Sequence, residues 1–121
     1  MNKEKQQRNK REILNQIRQT NLSGNRSNCF ISYMSETDEH IKKKFEVWLK
    51  LRRADYEVWS EVIFKTGIRM DLLAFKEGFW TNYEILHNES IKQLSEKVKK
   101  YPNMNIIPVK TNEDITNLEM L

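Results

Sequence analysis

Two carboxylates stand where a chain seldom puts them. Asp71 lies in the apolar run at 68–75 (IRMDLLAF) and Glu84 in the run at 79–86 (FWTNYEIL), both of which otherwise read as β-strands. Aspartate is disfavoured in strands, and Met70, Leu72 and Leu73 around it imply burial on both sides. The stretch Lys76-Glu77-Gly78 reads as a three-residue hairpin connection between the two runs. In that hairpin Tyr83 lies opposite Asp71, and Glu84 is one residue away. Opposed residues of antiparallel strands stand about 4.5–5.5 Å apart. Two carboxylates at that separation repel unless one is protonated or a cation lies between them. Mg²⁺, which prefers a few carboxylates plus water, suits such a gap, and Mn²⁺ is the natural substitute.

Other residues sort around this pair. Arg69, two positions before Asp71, shares its face and is placed to contact a phosphate or the carboxylate itself. Glu61 is a further ligand unless strand alternation turns it outward. Glu39 is an acid in the first turn of a helix, a position that the helix dipole alone favours. His40 is about 100° round that helix from Glu39 and is expected to face away. His87 reads as a loop histidine. The single Cys29 reads as a small buried apolar residue suited to a reducing interior. There is no zinc-type Cys/His set, and three glycines cannot build a phosphate-binding loop beyond the hairpins.

The elements that must position these residues follow from periodicity. A helix opens near Ser35 or Thr37 and runs through ETDEHIKKKFEVWLKLRR, with Ile41, Phe45, Trp48 and Leu49 as its expected buried face. Residues 57–64 (EVWSEVIF) alternate as a strand, and Lys65-Thr66-Gly67 turns it into the strand bearing Asp71. The strand bearing Glu84 completes an antiparallel meander. Residues 89–101 (ESIKQLSEKVKKY) read as a helix capped by Asn88, with Ile91, Leu94, Val98 and Tyr101 as its stripe and Pro102 as its stop. NIIPV at 105–109 is a short strand, CFISYM at 29–34 a strand or a lead-in, and the last eleven residues are expected to close with a short helix. The fold class is α/β, an αβββαβ core with helices covering the sheet.

The 121 residues fit one domain. Residues 1–28 read as a basic arm and linker, and 29–121 as the compact body. Within 1–19, Lys3, Lys5, Arg8, Lys10, Arg11 and Arg18 face only Glu4 and Glu12, which accounts for the whole formal charge of +4. Such arms meet nucleic acid by releasing counterions from phosphates, and Lys3, Lys5, Arg8, Lys10 and Arg11 are the candidate contacts. Ile13, Leu14 and Ile17 give the arm a thin apolar stripe with which to dock on the body or on a partner. No apolar run approaches the roughly 20 residues of a membrane span. The polar, basic N-terminus lacks a signal-peptide core, so an intracellular, cytoplasmic setting is expected.

Taken together, ETDEHIKKKFEVWL, GIRMDLLAF and YEILHNESIKQLSEKVKKY resemble, in order and spacing, the PD-(D/E)XK (restriction-endonuclease-like) nuclease superfamily over roughly residues 36–109. The resemblance implies a metal-dependent nuclease acting on DNA. Glu39, Asp71 and Glu84 would hold one or two Mg²⁺ ions that activate water and stabilise the leaving oxygen. It also implies a homodimer if both strands of a duplex are cut. One departure stands out: the third strand carries Glu84-Ile85-Leu86 where the family has Glu-X-Lys. Lys97, four residues before Tyr101, resembles the helical Gln-X-X-X-Tyr placement of RecB-like relatives and is the candidate replacement. Without a replacement, the implied protein binds nucleic acid or a protein partner and does not cut. The Lys-, Asn-, Ile- and Glu-rich composition fits a viral or mobile-element chain.

Overall fold

The structure is a computed structural model that describes residues 1–18, 27–87, 91–116 and 118. Its elements are α1 (Lys3–Leu14), α2 (Asp38–Arg53), β1 (Glu57–Ile63), β2 (Arg69–Lys76), β3 (Phe79–Leu86), α3 (Ile91–Val98) and β4 (Asn105–Lys110). The strands form one sheet in the order β1-β2-β3-β4. Pairing is antiparallel through the meander and parallel between β3 and β4. A parallel step needs a crossover connection, and α3 lies within it. The expected α/β order is the observed one. Asn88 and most of the linker fall outside the described residues. CFISYM is neither strand nor helix. It borders β1 through side chains, with Ser60 Oγ accepting from Ile31 N and donating to Cys29 O, and Cys29 itself is exposed. Residues 111–116 form turns without a helix.

β2 and β3 are buried along most of their length because both faces of the sheet are covered. On one face Val47 and Leu51 of α2 pack with Val58, Leu72, Tyr83 and Ile85. On the other, Ile13 of α1 packs with Phe64, Leu73, Phe75, Trp80 and Tyr101. The basic segment therefore begins as a helix that docks on the sheet through its second and third turns. Trp80 Nε1 donates to the Asn9 carbonyl at 3.0 Å, Asn9 Nδ2 donates to Gly78 O, and Lys10 pairs with Glu57 at 2.7 Å. Lys10 is thus engaged within the fold, while Lys3, Lys5, Arg8 and Arg11 stay exposed. Ile13→Ala is expected to cost about 2–4 kcal/mol in urea unfolding. A freely detached arm would show no such loss.

The second hairpin is tighter than its sequence suggests. Lys76 pairs with Phe79, so the loop is Glu77-Gly78 alone, both with positive φ (52° and 93°), as a two-residue turn that follows the sheet twist requires. Losing one loop residue shifts the register by one. Tyr83 is opposite Leu72, and continuing that register places Glu84 itself opposite Asp71.

The buried face of α2 also differs from the expected one. Val47 and Leu51 are buried together with Lys43 and Lys44, whereas Phe45 is 42% exposed. Phe45 and Trp48 instead stack on each other and meet Phe30 edge-on, and of the two only Trp48 packs, partly buried, against the sheet-facing core. The apolar stripe was strongest on the wrong side because the sheet-facing side carries two lysines whose charges are satisfied internally.

Candidate metal centre

The meander has a fault line through its polar residues. β1 pairs Ser60 with Leu72 and Val62 with Met70, passing over Glu61 and Asp71 between them. Glu61 has φ +52°, an uncommon conformation for a residue with a side chain. Val58 and Leu72 belong to the α2-side core, yet Val62 and Met70, which strict alternation would keep on that face, belong to the opposite core. The strands therefore reverse their alternation at this row. A local irregularity of this kind re-aims side chains, and here it frees two carboxylates from the ladder.

Asp71 Oδ2 takes the place of a ladder acceptor, receiving Ile85 N–H at 2.8 Å. Its other oxygen is 3.3 Å from His40 Nε2, which is also 3.3 Å from Glu36 Oε1. Glu36 is fixed by the turn before α2, where its Oε2 accepts from Tyr33 N. Ligand atoms of Glu36, His40, Glu61 and Asp71 all lie within 4.8 Å of one another. Glu84, 4% exposed, adjoins them through Asp71, and its Oε1 accepts from Asn82 Nδ2 (3.0 Å) and Tyr101 OH (3.1 Å). Tyr101 OH also reaches Arg69 O at 3.3 Å.

Buried among the acids is a lysine. Lys44 Nζ lies 2.7 Å from Glu36 Oε1 and 2.6 Å from Glu61 Oε1, with no exposed side-chain surface. Burial pushes Glu61 up to about 7 despite Lys44, with the hydrogen bond to Glu36 adding to the rise. Burial, reinforced by the Asp71 charge, pushes Glu84 up to about 8 against the help of Asn82 and Tyr101. For Asp71 burial opposes ionisation, but the hydrogen bonds from His40 and Ile85 N outweigh it and hold the carboxyl low. Glu36 is likewise held low by Lys44, its bond to Glu61 and the Tyr33 N–H, against burial. The hydrogen bond to Asp71 raises His40, with burial opposing. At mildly acidic pH the centre is balanced: Lys44 and His40⁺ face ionised Glu36 and Asp71, while Glu61 and Glu84 keep their protons.

The expected site residues divide. Asp71 and Glu84 come together as read. Glu39 does not join them: it is exposed on the first turn of α2, and Glu36 with His40 takes that place. His40, expected to face away, faces in because it shares the stripe of Lys44, Val47 and Leu51 at helical spacing. Lys97 is exposed and lines a cavity beside Tyr101 together with Arg69. The lysine beside the acids is Lys44, which the sequence reading missed. Extending the Val47/Leu51 stripe backwards by helical steps reaches Lys44, His40 and Glu36 in turn, so a signal existed. Leu86, where the resemblance wants lysine, is buried at 2% exposure.

The donor set suits a divalent cation. Three carboxylates and one imidazole converge over the span of a ligand shell, about 4–5 Å across. Carboxylates of this kind could hold Mg²⁺ or Mn²⁺, and an imidazole in the set would favour Mn²⁺. Lys44→Ala is expected to cost about 3 kcal/mol in metal-free urea unfolding, because two buried acids lose their shared counter-charge. Added Mn²⁺ should recover part of that loss, and a variant as stable as the wild type would show that Lys44 is not neutralising the acids.

Compared with protein-family models, curated proteins and solved structures, the chain matches none. Among the described residues, no helix is long and apolar enough to cross a membrane.

Proposed function

We propose that this chain is a metal-dependent nuclease that hydrolyses DNA phosphodiesters, built on the PD-(D/E)XK plan and working inside the cell. The observation that carries the reading is the convergence of Glu36, His40, Glu61 and Asp71 from three separate elements, with Glu84 joined to Asp71 from a fourth. A divalent cation held there would supply Lewis acidity toward the phosphodiester and a nucleophilic water at neutral pH. The chain's own residues prepare the place. Ile85 N–H and His40 orient Asp71, Tyr101 and Asn82 orient Glu84, and Glu61 and Glu84 must give up protons before an ion binds. Lys44 stands where a lysine can neutralise charge developing beside the acids, the role left vacant by Leu86.

One observation favours a second reading. Lys44 and His40 already compensate Glu36, Glu61 and Asp71 directly, as they would in a nuclease-fold protein that binds nucleic acid or a protein partner without cutting. Incubating labelled single-stranded and duplex DNA with Mg²⁺, Mn²⁺ or chelator decides between the two. Cutting that needs the metal establishes the nuclease. DNA binding without cutting establishes the second reading.

A further inference from the structure

A cavity of about 430 Å³ opens between the start of β2 and the end of α3, lined by Ile68, Arg69, Glu96, Lys97, Lys100 and Tyr101. Three of these are cations on the exposed surface, and the one acid, Glu96, lies 3.5 Å from Lys99. The lining residues carry a formal net charge of +2. It is linked to the acid cluster through the sheet: Tyr101, one of its lining residues, hydrogen-bonds Glu84, and Arg69 is two residues from Asp71 on the same strand.

We infer that this cavity binds a backbone phosphate of a nucleic-acid strand, one that flanks the phosphodiester presented to the acid cluster. A bare group of carboxylates repels a polyanion. A cationic hollow beside it offsets that repulsion and focuses the strand onto the site. The lining also matches the ligand in kind, because it sets apolar Ile68 and aromatic Tyr101, suited to a sugar or base, beside three cations suited to a phosphate. A small free anion would use the cations alone and gain nothing from the shared Tyr101 wall. The inference rests on the nuclease reading, and its test needs no cleavage.

The experiment is fluorescence anisotropy of a labelled single-stranded oligodeoxynucleotide in EDTA over a series of salt concentrations. Each phosphate contact on a single strand contributes about 0.7 to the slope of log affinity against log salt. The variant Arg69→Ala/Lys97→Ala/Lys100→Ala is expected to bind at least about tenfold more weakly and to lose about 1–2 from the slope. The control Lys42→Ala/Arg53→Ala removes as much charge as Lys97→Ala/Lys100→Ala from exposed positions of α2 and is expected to lose less than about threefold. Lys97→Ala/Lys100→Ala, which leaves β2 untouched, should show an intermediate loss and guards against a folding defect. Wild-type binding by the cavity variants, or equal losses in cavity and control variants, would overturn the proposal. Because metal is absent throughout, a chain that fails to cut DNA can still pass this test, and one that cuts can still fail it.

Discussion

Asp71→Asn is expected to lower metal-dependent DNA cleavage by at least about a thousandfold, whereas Glu39→Ala should leave it within about twofold. Asp71 joins three parts of the centre: His40 on one oxygen, Ile85 N–H on the other, and Glu84 beside it. Asparagine keeps the shape and can still accept from Ile85 N–H through its carbonyl oxygen, so the sheet should survive. It removes the negative charge that would hold a cation, and metal stabilisation of a phosphoryl transition state amounts to several kcal/mol, with each 1.36 kcal/mol worth tenfold in rate. Glu84→Gln and Glu61→Gln should fall in the same direction, since both lie in the same row of the sheet. Glu39 points into solvent on the first turn of α2, and its loss removes only a favourable helix-dipole contact. Initial rates on labelled DNA at saturating Mn²⁺ provide the comparison. Retained activity in Asp71→Asn together with loss in Glu39→Ala would mean that the centre is somewhere else.

That contrast shows how far residue patterns reach in this chain. The strands and both hairpins were legible because glycine at positions 67 and 78 marks the turns and apolar runs flank them. The pairing of Asp71 with Glu84 was legible to within one residue, and the error came from counting Lys76 into the loop when it pairs with Phe79. The helix-borne half of the centre was not read. Phe45 and Trp48 outweigh Lys43 and Lys44 on any hydropathy scale, so the aromatic side of α2 looks like its core side. Helical spacing from Val47 and Leu51 does lead back to Lys44 and His40, but hydropathy ranks that stripe below the aromatic one. Glu61 is legible in the sequence only as a ligand that alternation could equally expose. Its place in the centre depends on a positive φ and a reversal of strand alternation, which EVWSEVIF does not signal.

The same buried acids set a second large effect, on stability against pH. Without a divalent cation, stability is expected to peak at about pH 4.5 and to fall by a few kcal/mol by pH 8.5. Glu84 in the folded chain titrates at about 8 and Glu61 at about 7, both above the ordinary 4.5. The folded state therefore holds protons that the unfolded chain has released, and stability drops as the pH climbs through that interval. His40 has the same sign: its raised value contributes below the ordinary 6.5 and is lost as the pH passes the folded value. Asp71 and Glu36, held low, contribute above their ordinary values of 3.8 and 4.5 and set the acid limb, lost as the pH falls through their folded values. A bound cation should reverse the alkaline limb, because it takes over the charges that the two protons had cancelled and its affinity grows as they leave. Melting curves in EDTA and in Mn²⁺ between about pH 3 and pH 9 measure both limbs. The rise in Tm on adding Mn²⁺ should be larger at pH 8.5 than at pH 5.5. A rise of equal size at both would place the ion away from Glu61 and Glu84, and a flat metal-free profile would mean that these carboxyls do not keep their protons in the fold.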